Sequence, residues 1–177
     1  MSTIESARGL ALRLDQAVHR AAGEIVYDSV NSFFINLRAY LQVQDDTLGA
    51  NNNLFAILRR IDDQSGLFLT NLGPAIDAGD TANHFHFPSG ARLSFGVTLR
   101  RGHQCALVSY RFHYVHPGPE ARFFRFDLNP QPHEDPLSEP RCHLHPGFDQ
   151  VRLPIPALSP VEVLDRIFFV LDEGPRR

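Results

Sequence analysis

The sequence predicts an α+β fold, a three- to four-stranded antiparallel meander covered on one face by N-terminal helices and a C-terminal helix. Three observations predict it. Apolar residues recur at helical spacing in the first part of the chain, alternate strictly with polar ones beyond Ala91, and return to helical spacing after Ser159. An antiparallel sheet with one apolar face has to bury that face, and only helical stripes are left to cover it.

The opening Ser2-Thr3-Ile4-Glu5 fits a capping box, and Leu10, Leu14, Ala17, Val18 and Ala21 continue at helical spacing. Gly23 separates this helix from a second, whose stripe is Val26, Val30, Phe33, Phe34, Leu37 and Leu41. The polar run from Asp45 to Asn53 reads as a turn and as the best internal boundary. A short helix is expected over 54–63, while 66–80 is ambiguous, with Gly73-Pro74 breaking whatever precedes it. Residues 1–80 are therefore read as a helical region for partner binding or oligomerisation, and 81–177 as sheet plus C-terminal helix.

Leu93, Phe95, Val97 and Leu99 alternate with Arg92, Ser94, Gly96, Thr98 and Arg100, the pattern of a half-buried strand. Arg101-Gly102-His103 turns into a long second strand, 105–116, and Pro117-Gly118-Pro119 turns into a third, 121–128. Residues 83–87 are a possible extra edge strand. Ten of the thirteen prolines lie between Pro117 and Pro160, so the segment after the third strand is expected to be a stiffened loop. Ser159-Pro160-Val161-Glu162 then gives an N-cap, a first-turn proline and a capping glutamate, and Val161, Leu164, Phe168 and Leu171 form the stripe of the last helix.

The net charge of −3 argues against broad, nonspecific nucleic-acid binding, but charge is uneven along the chain. Residues 1–91 carry six Arg against ten acidic residues, whereas 92–152 carry eight Arg against six, so an anionic ligand prefers the middle. Every basic residue is arginine, a guanidinium suited to phosphate or carboxylate. Cys105 and Cys142 define no disulfide framework and are expected as free thiols. No apolar run approaches the ~20 residues that span a bilayer, and the first residues lack a secretory signal, so no membrane partner and a cytoplasmic location are expected.

Eight of the nine histidines lie between His84 and His145, interleaved with arginines, aromatics and aspartates. In the second strand Leu107, Ser109, Arg111, His113 and Val115 share one face by alternation, and Val108, Tyr110, Phe112 and Tyr114 the other; in the third, Phe123, Arg125 and Asp127 oppose Phe124, Phe126 and Leu128. Pairing through the short turn puts Arg111, His113, Arg125 and Asp127 on one sheet face. Histidine moves protons near neutral pH, aspartate orients it or binds a metal, and two arginines hold an anion. If the Pro-rich loop folds back, His143 and His145 join this set.

His84-Phe85-His86 and His143-Leu144-His145 are both His-x-His, and together they can offer up to four nitrogen ligands, with Asp127, His133 or Asp149 as additions. His84 and His86 are expected to be peripheral. No metal ligand set is assigned from the sequence, and the cofactor stays open. No phosphate-binding glycine loop, nucleophile elbow or dinucleotide fingerprint is present.

Tyr110-Arg111-Phe112-His113-Tyr114, then Phe124-Arg125-Phe126-Asp127-Leu128-Asn129, Pro132-His133, His143-Leu144-His145-Pro146-Gly147 and a helix opened by Ser159-Pro160 follow one another in this order. On these motifs residues ~91–170 resemble the TumE-like toxin family of bacterial toxin–antitoxin modules. The resemblance implies a small antitoxin-neutralised growth inhibitor acting on nucleic acid. The resulting expectation is a toxin-like, RNA-cleaving nuclease with His113, Asp127, His143 and His145 as catalytic residues and Arg111, Arg125 and His133 binding substrate. A protein partner, an antitoxin or complex subunit, would dock on the N-terminal helices. The alternatives are a noncatalytic nucleic-acid- or protein-binding subunit of a defence or mobile-element complex, and a His-rich metal-binding protein.

Overall fold

The computed structural model describes residues 19–21, 24–58, 60–62, 67–70, 84–117, 122–130 and 140–172. Strands β1 (His19–Ala21) and β2 (Glu24–Tyr27) form an antiparallel hairpin where the apolar spacing suggested helix. Ile25 and Tyr27 are buried and Val26 is not, an alternation too short to outweigh the helical reading in sequence but sufficient in a sheet. The first expected helix otherwise lies outside the described residues.

Helix α1 (Val30–Leu48) starts where Ser29 Oγ accepts from Ser32 N, and it ends at Gly49, whose φ of 64° gives the left-handed cap. Its stripe Val30, Phe33, Leu37, Tyr40 and Leu41 is buried. The polar run after it is a clamp. Asn52 Nδ2 donates to Asp45 Oδ1 (2.7 Å) and to the His86 carbonyl (2.9 Å), while His86 N donates to Asn52 Oδ1 (2.7 Å). Helix α2 is one turn, Leu54–Ile57, shorter than expected, because the chain goes on to strands β3 (Arg60–Asp62) and β4 (Leu67–Thr70). The region expected to be helical thus supplies four short strands as well as helix.

The remaining strands are β5 (Phe85–His86), β6 (Arg92–Arg100), β7 (Cys105–His116), β8 (Arg122–Leu128), β9 (Cys142–Pro146) and β10 (Leu153–Pro154). All described pairings are antiparallel in one ten-stranded sheet whose main order is β10-β9-β8-β7-β6-β4-β3. The α+β class is as expected, but the sheet is larger than a four-stranded meander. The Pro-rich segment, expected as loop, contains β9 and β10. Their prolines are tolerated because Pro146 ends β9 and Pro154 lies on the edge strand.

A bulge sets the faces of β7. Thr98 pairs with Ser109 and Leu99 with Leu107, so Val108 is the extra residue. Leu107 therefore faces the core with Cys105, Tyr110, Phe112 and Tyr114, correcting the simple alternation that put Leu107 beside Arg111 and Val108 inside.

The core joins this apolar face, including Leu93, Phe95, Val97 and Leu99, to α1 and to the last helix α3 (Pro160–Arg166), which continues as a π turn at Ile167–Leu171. Phe168 meets Phe85 and Tyr40 edge to face and Phe87 at a tilt, at centroid distances of 5.2, 6.2 and 5.1 Å. Helix α3 carries the expected capping box, with Ser159 Oγ accepting from Glu162 N and Glu162 accepting from Ser159 N. Helices cover one sheet face. The other carries the polar residues described next.

Candidate functional site

Register alone builds the site. Gly96, Arg111, Asp127 and His143 are successive partners across β6, β7, β8 and β9, and Ser94, His113, Arg125 and His145 form the neighbouring row. Residues two apart on a strand share a face, so both rows project from the side away from the helices. Six of the seven sequence-predicted site residues are thereby brought together. The seventh, His133, lies outside the described residues.

Asp127 is the hub. It is buried, and its Oδ1 accepts from Arg111 Nε at 3.0 Å while its Oδ2 accepts from Arg125 Nε at 2.8 Å. Arg125 also donates through Nη1 to Asp149 Oδ1 and through Nη2 to His145 Nε2 at 2.9 Å. The two arginines differ in setting, since the Arg111 side chain is 64% exposed and that of Arg125 18%. Arg111 is engaged only through its Nε among the described residues, leaving its terminal amino groups toward solvent.

His143 and His145 are 1% and 0% exposed, so the polar face is open at β7 and closed at β9 rather than open throughout. His143 Nδ1 donates to the Pro140 carbonyl at 2.6 Å. A carbonyl only accepts, so the Nδ1 proton is fixed, and in the neutral ring the lone pair is on Nε2. That Nε2 lies 3.7 Å from Asp127 Oδ2, and His145 Nε2 lies 3.4 Å from the same oxygen. Among the described residues, three metal-ligating side chains come together at Asp127, His143 and His145, all within 4.8 Å at their ligand atoms. The pair His84 and His86 pack on each other at 6.4 Å and are not part of that group.

Burial and charge keep two of these histidines neutral. His113 is lowered from 6.5 to about 4, first by burial and then by Arg125 and Arg111, against the opposing pull of Asp149 and Asp127. His145 is lowered by burial and by Arg125. His113 packs edge-on against Phe123, and its Nε2 has no hydrogen-bond partner among the described residues. The thiols belong to the other face: both cysteines are free and buried, Cys142 Sγ contacts Tyr110 Oη and the Pro156 carbonyl, and burial pushes Cys105 up to about 11.

Two participants were not assigned from sequence. Asp149 was considered only as a possible metal ligand, yet it binds Arg125; the signal available was Gly147, whose φ of 90° permits the turn that returns Asp149 to the site. The Pro140 carbonyl, which sets the His143 tautomer, has no side-chain signature. No described helix is long and apolar enough to cross a membrane. Comparison with protein-family models, curated proteins and solved structures returns no match to the chain.

Proposed function

We propose that the protein is a toxin-like nuclease that binds an RNA phosphodiester on the Arg111–His113 side of this face and cleaves it. The observation that carries the reading is the cross-strand register that gathers Arg111, His113, Arg125, Asp127, His143 and His145 on the sheet face away from the helices. Arg111 offers its solvent-facing amino groups to a phosphoryl oxygen, and Arg125 supports the charge from beneath. His113 takes the proton of the attacking 2′-hydroxyl. The oxygen bonds to phosphorus, the P–O5′ bond breaks, and the proton held by His113 passes to the 5′-oxygen, leaving a 2′,3′-cyclic phosphate and restoring the neutral imidazole.

A free His113 at about 4 is a weak base, but two of the causes that lower it are the charges of Arg125 and Arg111. A bound phosphate neutralises those charges and moves His113 back toward neutrality, where proton transfer is efficient. The base is strengthened by the substrate it serves.

The test is inducible expression of the wild type against Arg111→Ala and His113→Gln, with a labelled RNA digested by the purified proteins. Growth arrest and cyclic-phosphate ends from the wild type, lost in both variants at equal fold content, support the reading. Wild-type protein that leaves RNA intact and growth unaffected removes it.

A noncatalytic subunit is the second reading. It is favoured by the cancellation of charge at the site, where Arg111 and Arg125 face Asp127 and Asp149. Its protein partner would dock on the N-terminal region, where Ile35 of α1 is exposed. Retained RNA binding without cleavage products would select it.

A further inference from the structure

The buried half of the site brings two imidazole nitrogens and a carboxylate oxygen to spacings that direct hydrogen bonds among the three do not explain. Asp127 Oδ2 faces His145 Nε2 at 3.4 Å and His143 Nε2 at 3.7 Å, longer than a well-formed bond between such atoms. The three residues are 4%, 0% and 1% exposed, and Arg125 bridges Asp127 Oδ2 and His145 Nε2 but does not reach His143 Nε2, so the convergence of all three in a buried place calls for a further partner. A tetrahedral ion with bonds of about 2.0–2.1 Å separates its ligand atoms by roughly 3.3–3.4 Å. The Asp127–His145 spacing matches that edge, and the Asp127–His143 spacing exceeds it by a few tenths of an ångström. We infer that Asp127, His143 and His145 form a site for a divalent first-row transition-metal ion of the zinc class, independent of whether the protein cleaves RNA.

The surroundings are those of ligands held in place. His143 donates its Nδ1 proton to the Pro140 carbonyl, which selects the tautomer of the neutral ring whose Nε2 would face an ion. Arg111 and Arg125 orient the Asp127 carboxylate through their Nε atoms, and each carboxylate oxygen keeps a second lone pair. Adjacent strands set the spacing, because Asp127 pairs with His143 in register and His145 is the next residue on the same face of β9. Two imidazoles and one carboxylate, with Cys142 turned to the opposite face, suit zinc, cobalt or iron(II) better than calcium or magnesium. Three protein ligands leave a position for water or a substrate oxygen.

One contact has to change. Arg125 Nη2 donates to the His145 Nε2 lone pair that an ion takes. The guanidinium keeps its bonds to Asp127 and Asp149, and both carboxylates offset the added charge.

The full chain, stripped with chelator and dialysed, is titrated with Co²⁺ and then Zn²⁺. One equivalent of Co²⁺ should produce the visible bands of a low-coordinate site, zinc should displace it, and zinc should raise the melting temperature. The imidazole ¹⁵N signals of His143 and His145 should shift in the wild-type chain itself, which requires no variant to fold. His143→Ala and His145→Ala should weaken binding by at least roughly a hundredfold, beyond the loss of an outer-sphere partner, and His84→Ala and His86→Ala should leave it unchanged. Absence of stoichiometric binding by the wild type, or binding that follows His84 and His86, overturns the inference. RNA cleavage that persists in chelator by a chain that binds no ion sinks the metal site and leaves the proposed function standing; ion binding without any cleavage does the reverse.

Discussion

Replacing Asp127 by Asn removes the charge on which two arginines converge while keeping the shape of the side chain, and the two arginines should report very different losses. Arg111 is 64% exposed, so its bond to Asp127 is a surface pair worth about 0.5 kcal/mol. Arg125 is 18% exposed and Asp127 only 5%, and breaking a buried pair from one side costs about 3–5 kcal/mol. Arg125 retains Asp149 and His145, which lowers its share to about 2 kcal/mol. Asp127→Asn should therefore cost about 2–3 kcal/mol in urea unfolding followed by circular dichroism. Double-mutant cycles separate the terms: coupling with Arg125→Gln near 2 kcal/mol, coupling with Arg111→Gln near 0.5 kcal/mol, each as an approximate value. At about 1 M salt, where the Debye length is about 3 Å, the Arg111 coupling should fade and the Arg125 coupling persist. Equal couplings, or a larger one at Arg111, would refute the division into an exposed and a buried arginine.

His113 makes stability depend on pH. Its folded pKa of about 4 lies below the ordinary 6.5, so between these values the unfolded chain binds more protons and stability falls as pH drops from about 6.5 to about 4, then levels. The whole shift corresponds to about 3 kcal/mol, which partial exposure screens to about 1–2. His113→Gln should flatten the slope, and a proton NMR titration placing His113 above about 6 would contradict it. Asn52→Ala removes the clamp between Asp45 and the His86 backbone and should cost about 2 kcal/mol, against about 1 for Asn53→Ala, which loses a single cap bond to Ala56 N; equal losses in urea midpoint would count against the clamp. Ser159→Ala should cost about 1 kcal/mol through the capping box, and a melting temperature unchanged from wild type would show the box to be idle.

The face shared by Arg111, His113, Arg125 and Asp127 was legible because a period of two and a short turn leave few choices of pairing, and a polar row cannot be slipped into the core cheaply. The elements that escaped did so for physical reasons. Strand β9 lies between prolines, and proline density signals loop unless each proline falls at a strand end or on an edge, which the sequence does not state. The hairpin at 19–27 is too short for its alternation to be told from helical spacing. The run from Asp45 to Asn53 has the composition of a linker, and only the partners of Asn52 show that it pins β5 to α1. The metal-like spacing depends on distances of a few tenths of an ångström, which no residue pattern encodes.

The bulge in β7 is where a single residue decides whether core and site coexist. Cys105 and Leu107 face the core at odd numbers, Tyr110, Phe112 and Tyr114 at even ones, and Val108 absorbs the difference. Thr98 and Leu99 are consecutive on β6, and their partners are Ser109 and Leu107, so deleting Val108 leaves a continuous ladder with every other β7 residue on its present face. Deleting Thr98 instead makes Val97 and Leu99, both fully buried, adjacent in an alternating strand, and one of them must turn to the polar face. That exposure alone costs roughly 1.5–3 kcal/mol, before the ladder is disturbed. The chain without Val108 should fold, keep its Asp127–Arg125 coupling and melt within a few degrees of wild type, whereas the chain without Thr98 should melt far lower or fail to fold. Comparable damage from both deletions, measured by circular dichroism melts, would mean that the parity of β7 is not set at Val108.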